Sequence, residues 1–161
     1  MKRASIGFLM ALGVSTAVGP SAYATQIVSS GASCNPQKAD VGKVSYTSQF
    51  GAQNDSTTST ARVFCPVVGE FTGPFGFNIL VRDRSATADI SCTLTMTSPN
   101  LATIVFTSTQ TSTGSSAFPQ MLLFSPPAMN GWIATIACTL PINSGSASSI
   151  VNLGISFLRT N

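Results

Sequence analysis

The chain has 161 residues, a formal net charge of +3, four cysteines, no histidine, and charged side chains at 8% of positions. Without histidine neither a Ser-His-Asp nor a Cys-His arrangement can be assembled, and the usual zinc ligand sets are missing. Lys and Arg form no cluster that could track phosphates, which argues against nucleic acid as a partner.

At the amino terminus Lys2 and Arg3 precede an apolar run over residues 6–18, a Gly19-Pro20 break and Ala22-Tyr23-Ala24. A positive end, a short apolar stretch and small residues before a cut are the marks of a secretory signal peptide. The expected division is a leader over residues 1–24 and a single secreted domain over 25–161. That domain would be extracellular or periplasmic, with no membrane association after cleavage. The alternative, a retained anchor, is disfavoured because the run is too short to span a bilayer. Gly31-Ala32-Ser33-Cys34 faintly suggests a lipid-attachment site, though it lacks the usual apolar residue at its start. Beyond the leader, six basic residues face five acidic ones, so the basic character of the whole chain owes much to its first residues.

Candidate strands follow over residues 43–49, 61–68, 75–82, 88–97, 102–109, 120–124, 132–140 and 150–158, separated by "GAQNDSTTST", "GEFTGP", "DRSAT", "TSPN", "SPPAMNG" and "NSGSASS". Asn130-Gly131 reads as a hairpin turn, and Pro126-Pro127 ends the strand before it. In "NLGISFL" apolar Leu153, Ile155 and Phe157 alternate with Gly154 and Ser156. No amphipathic helix is evident after the leader. Short strands at this spacing, rich in Thr, Ser, Val and Ile, predict an all-β antiparallel sandwich of Greek-key or jelly-roll type.

Two of those strands nearly repeat a phrase, "ISCTLTM" and "IACTLPI". Period-two alternation places Ile90, Cys92, Leu94 and Met96 on one face, and Trp132, Ala134, Ile136, Cys138 and Leu140 on another. Both cysteines then point into a core. An even cysteine count in an exported chain, without close Cys pairs, reads as two disulfides rather than metal. The predicted pairing is Cys92 with Cys138 and Cys34 with Cys65; a chance match of two core strands, with another pairing, is the alternative.

Catalysis has little to work with. A glycosidase needs two flanking carboxylates, but Glu70 is the sole glutamate and the four aspartates fall mostly in turns. A Ser-Lys dyad using Lys38 or Lys43 has no more support, and "GEFTGPFG" lacks the lysine and helix of a phosphate loop. The expectation is a non-enzymatic protein needing no cofactor, with a glycan-processing enzyme as a minor alternative.

Candidate contact residues are therefore sought among charges and aromatics. The dense stretch "VRDRSATAD" could recognise an acidic sugar through Arg82 and Arg84, or hold Ca²⁺ through Asp83 and Asp89. The plainer reading is a solvated strand end whose charges pair locally. Phe50, Phe71 and Phe75 lie in glycine-rich segments at strand ends, with Tyr46 close by, and could stack on sugar rings. Trp132 shares the face of Cys138 and reads as core. Asn54-Asp55-Ser56 is formally a glycosylation sequon.

The order "CNP", "VFCPVV", "VRDRS", "ISCTL" and "ACTLP" resembles small exported bacterial proteins, mostly uncharacterised, across nearly the whole chain after the leader. The resemblance implies a shared disulfide-bonded sandwich and no activity, ligand or catalytic residue. Two functions are expected to compete. One is a binding module for cell-surface or extracellular polysaccharide, acting through strand-end loops. The other is a structural or adhesive subunit of a surface layer or fibre that self-associates by strand addition, with "TQIVSSGAS" as a possible donor segment or else a frayed terminus.

Overall fold

The computed structural model describes residues 24–48, 51–67, 75–98, 100, 103–116, 118–127 and 133–158, with side chains described for these except 24–29 and 151–158. Within them the strands are β1 (Ala24–Ser30), β2 (Asn35–Pro36), β3 (Val44–Thr47), β4 (Gly51–Asn54), β5 (Ala61–Val67), β6 (Phe75–Arg82), β7 (Ser91–Thr97), β8 (Ile104–Thr111), β9 (Gln120–Phe124), β10 (Ile133–Leu140) and β11 (Ser149–Leu158). They form two antiparallel sheets. Sheet I runs β3-β4-β11-β6-β9, with β1 also paired to β11; sheet II runs β2-β5-β10-β7-β8. From β4 onward the chain passes back and forth between the layers except from β7 to β8, which are neighbours in sheet II, giving the all-β sandwich expected from strand spacing.

Alternation explains why these segments are strands. On β6, Phe75, Phe77, Ile79 and Val81 are buried while the residues between them are partly exposed. On β7, Cys92, Leu94 and Met96 are buried and Thr93, Thr95 and Thr97 face outward. β-branched threonine suits that outer face of the pleat, and Thr93 and Thr109 share a hydroxyl hydrogen bond of 2.9 Å across β7 and β8. The two inner faces meet in one apolar core, in which Phe77, Ile79, Leu94, Met96, Phe124 and Ile136 are all 1% exposed or less. Each such side chain contributes about 1.5–3 kcal/mol by leaving water.

The repeated phrase resolves into a register. β7 and β10 run antiparallel side by side, so that Cys92 lies directly opposite Cys138 and Leu94 opposite Ile136. The disulfides are Cys92–Cys138 and Cys34–Cys65, as the inward-facing cysteines predicted, and no cysteine is free. Asn35 pairs with Phe64 on β5, next to the Cys34–Cys65 bridge. Both bridges therefore tie neighbouring strands within sheet II, and the two layers are held together by packing. With Cys34 oxidised to Cys65, the lipid-attachment reading of that cysteine is overturned.

Three strands had not been legible as strands. β4 lies in the segment taken for a turn; Ala52 and Asn54 are fully buried there. The Asn54 amide donates to the carbonyls of Ser59 (3.0 Å) and Pro141 (2.8 Å), and its oxygen accepts from Ser56 N (3.0 Å). A side chain committed in this way is a plug between loops, so the sequon has no accessible amide. β1 pairs with β11 over seven residues, from Ala24 opposite Leu158 to Ser30 opposite Asn152. The fraying terminus expected there is instead an added strand of its own sheet. β2 is a two-residue bridge beside Cys34.

A 3₁₀ turn over Lys38–Lys43 is pinned to β5 through Asp40, whose carboxylate holds Lys43 Nζ at 2.7 Å and accepts from Arg62 N at 2.9 Å. Gly51 sits at φ +62°, a conformation that favours glycine, and a Cβ there would lie 2.2 Å from the Ile150 carbonyl oxygen. Close approach of β4 to β11 depends on that glycine. Asn130, Gly131 and Trp132 lie outside the described residues.

Candidate functional site

One end of sheet I brings polar residues from three strands into a row. Gln53 on β4 is opposite Ser149 on β11, and Ser149 is opposite Arg82 on β6. Directly opposed residues in an antiparallel ladder share a face. Their chain neighbours Ala52, Ile150 and Val81 form the matching row on the other face and are fully buried in the core. Gln53, Ser149 and Arg82 therefore project from the outer face. Ser45, opposite Gln53, extends the row to β3.

Beyond the end of β6, Arg84 joins this row because Asp83 turns the other way. Asp83 is fully buried. Its Oδ1 accepts from Ser85 N (3.0 Å) and Ser148 Oγ (3.2 Å); its Oδ2 accepts from Ile90 N (3.2 Å) and from the Ser112 hydroxyl. Four donors converge on one carboxylate, the reverse of the oxygen cage a calcium ion needs. Asp89 is occupied elsewhere, accepting from Gly114 N at 2.9 Å. No group of three or more Cys, Asp or Glu side chains among the described residues is placed to hold a metal. Asp83 is thus a fastener: it joins the strand end to the segments carrying Ile90, Ser112 and Ser148, and the Ser148 hydroxyl in turn accepts from Arg84 N at 2.9 Å.

The result is a cleft of about 220 Å³ lined by Gln53, Arg82, Arg84, Ser146, Ala147 and Ser149. Among the described residues its lining holds two cations, several hydrogen-bonding groups and no acid. Clefts for drug-sized ligands start near 300 Å³, so this one suits a single ring or substituent rather than a long segment. The Gln53 amide is oriented from outside the cleft, donating to Ser45 Oγ (2.9 Å) and Asp55 Oδ1 (3.0 Å).

The other sequence candidates do not converge here. Tyr46 is opposite Ala52, on the face turned away from the cleft; it is 44% exposed, and its hydroxyl donates to the Cys34 carbonyl at 2.9 Å. Partial burial raises its pKa above the ordinary phenol value. Phe75 is not in a loop. It opens β6, is buried, and meets Phe77 edge to face with ring centroids 5.3 Å apart. Its ring fills the core and is not available for stacking on a ligand. Phe50 and Phe71 lie outside the described residues. Of the six candidates, the structure brings together Arg82 and Arg84. Sequence reading missed Gln53, Ser146 and Ser149, which sat in stretches taken as turns; their signal is the strand register, which is not local.

Among the described residues no helix is long and apolar enough to cross a membrane. No family model and no curated sequence matches the chain, in keeping with a resemblance that carried no functional family. Among solved structures, it is similar to the C-terminal CBM6 of the marine laminarinase LamC from Zobellia galactanivorans, with a TM-score of 0.51 and 12% identity, covering 83% of this chain and 100% of that one. It is also similar to the CBM36-1 domain of a xylanase from the hindgut metagenome of Trinervitermes trinervoides (TM-score 0.47, 11% identity, covering 84% and 100%). A family 35 carbohydrate binding module from Clostridium thermocellum gives a TM-score of 0.42 at 13% identity, covering 81% and 90%. At such identities the first of these likenesses speaks for the fold alone, a β-sandwich like that of the laminarinase CBM6.

Proposed function

We propose that the protein is an exported, non-enzymatic module that binds cell-surface or extracellular polysaccharide through the cleft at the end of sheet I. The observation that carries this reading is the convergence of Arg82, Arg84 and Gln53, with the exposed Ser146 beside them, on a ring-sized cleft. Guanidinium, amide and hydroxyl groups are the donors and acceptors that sugar hydroxyls and substituents use. The sandwich shared with the laminarinase CBM6 adds support at the level of fold. Export is supported by the leader pattern before Thr25 and by two disulfides. Affinity electrophoresis of the oxidised protein through gels cast with a panel of soluble polysaccharides tests the reading. At least one polymer should retard the protein, and Gln53→Ala should relieve the retardation. No retardation by any polymer removes it.

A second reading rests on a different observation. β9 and β8 each end one side of sheets I and II, carry no charged residue, and expose Ile104 (65%), Met121 (58%) and Leu123 (56%). Edge strands are normally guarded by charge or proline. A surface subunit that adds strands at this side would show concentration-dependent oligomers in light scattering. Met121→Lys would abolish them; a monomer at every concentration sets the reading aside.

A further inference from the structure

Resting on that polysaccharide-binding reading, we infer that the cleft recognises an acidic sugar residue, whose anionic substituent lies between Arg82 and Arg84. The two guanidinium groups come from alternate positions at one strand end, and the residue between them is spent inward. Asp83, the acid nearest to both arginines in sequence, is fully buried and takes four hydrogen bonds from serine hydroxyls and backbone amides. It is thereby directed away from the surface that the arginines present. No acid is among the described residues of the lining, and Asp55 meets it by accepting from the Gln53 amide.

Charge scarcity strengthens the case. In a chain with charged side chains at 8% of positions, two cations share one small cleft. Arginine presents a planar fork of donors that fits a carboxylate or sulfate oxygen pair, and such charge-assisted bonds are about twice as strong as neutral ones. Gln53 and Ser146 leave polar groups suited to ring hydroxyls, whereas Ser149 is buried at 1% exposure. The ligand class is a pyranose bearing a carboxylate, as in a uronic acid, or a sulfate ester.

Isothermal titration of the oxidised protein at physiological salt tests this with four probes: oligogalacturonate, its methyl ester, a sulfated galactan oligomer and a neutral glucan oligomer. Binding to oligogalacturonate that the methyl ester loses, and that Arg82→Gln and Arg84→Gln each weaken by about ten- to a hundredfold, supports a uronate. The same arginine dependence on the sulfated oligomer alone supports a sulfate ester. Arg62→Gln, which removes an equal charge from the outer face of sheet II where Arg62 lies over Phe64, should bind like the unaltered protein. If it weakens binding as much as the cleft variants, non-specific attraction explains the result and the inference falls. Binding to the neutral glucan or the methyl ester as tight as to the acid, still sensitive to Gln53→Ala, overturns the acidic ligand and leaves the polysaccharide reading standing. No heat with any probe, together with no retardation in polysaccharide gels, overturns both. Urea midpoints of Arg82→Gln and Arg84→Gln within error of the parent establish that lost binding is not lost folding.

Discussion

Replacing Asp83 with alanine strikes the point on which the cleft is built, and its cost can be worked from the hydrogen bonds. The losses are unequal. Ile90 N keeps Ser112 Oγ as an acceptor at 2.8 Å, and the Ser112 hydroxyl can turn toward the Ile90 carbonyl, 3.4 Å away. The Ser85 amide loses its acceptor in a residue 1% exposed. A hydrogen bond to a charged group is worth about 1.5–3 kcal/mol and a stranded buried donor costs about 1–3 kcal/mol. With partial compensation at two of the four donors, Asp83→Ala should cost about 3–5 kcal/mol, the scale seen when one partner of a buried charged network is removed. Ser112→Ala alone should cost about 1–2 kcal/mol, because Ile90 N still has Asp83 Oδ2 at 3.2 Å. The double variant should fall short of the summed losses by about 1 kcal/mol or more, since both substitutions break the same bond. Urea unfolding followed by far-ultraviolet circular dichroism, with both disulfides intact, gives all three values. An Asp83→Ala cost below about 1 kcal/mol, or strict additivity with Ser112→Ala, would refute the fastener.

Three further outcomes are expected. Converting both Cys92 and Cys138 to alanine should cost about 4 kcal/mol by chain entropy for a 46-residue separation; a denaturant midpoint unchanged from the parent contradicts it. The Asp40 carboxyl is held below its ordinary pKa, first by its hydrogen bond with Lys43 and then by Arg62 N, against the opposing effect of burial. A depressed folded value gives stability that is full above the unfolded pKa and is lost as pH falls below about 4. Asp40→Asn should therefore flatten the acid limb of a pH series of urea midpoints, and an unaltered limb refutes the assignment. Finally, Gly51→Ala should cost about 2–5 kcal/mol, combining a left-handed backbone with a clash against Ile150 and Gly31. Gly114→Ala, at φ +63° with open space around it, should cost about 1–2 kcal/mol; equal costs would show that the close approach of β4 does not matter.

Much of the architecture was legible because its signal is local. Alternation in "ISCTLTM" identified β7, the flanking "GEFTGP" and "DRSAT" bounded β6, and the inward faces of Cys92 and Cys138 led to their pairing. β1 escaped because its ladder is supplied by β11, distant in sequence; β4 pairs with its neighbour β3 as well as with β11, but its short, polar segment shows no alternation to mark it. Nothing in "GAQN" announces a strand until Ala52 and Asn54 are seen against the core. The site divides the same way. Arg82 and Arg84 stood out as charges in a chain poor in them, whereas Gln53 and Ser149 became neighbours through register. Phe75 misled because flanking glycines made its segment look like a loop, although its spacing to Phe77 already matched a strand face.

The placement of both disulfides in sheet II gives the molecule an uneven mechanical character. β1 and β11 lie together in sheet I, with Ala24 opposite Leu158. A pull applied between those two residues acts across the end of the ladder, so its hydrogen bonds break in succession from that end rather than together in shear. No covalent tie crosses that seam. Held by this corner, the protein would yield first by shedding β1, while the cross-linked β2-β5 and β7-β10 pairs stay intact behind it. The same seam sets where the chain can be tethered to a load without opening it: through sheet II, whose bridged strands resist as units.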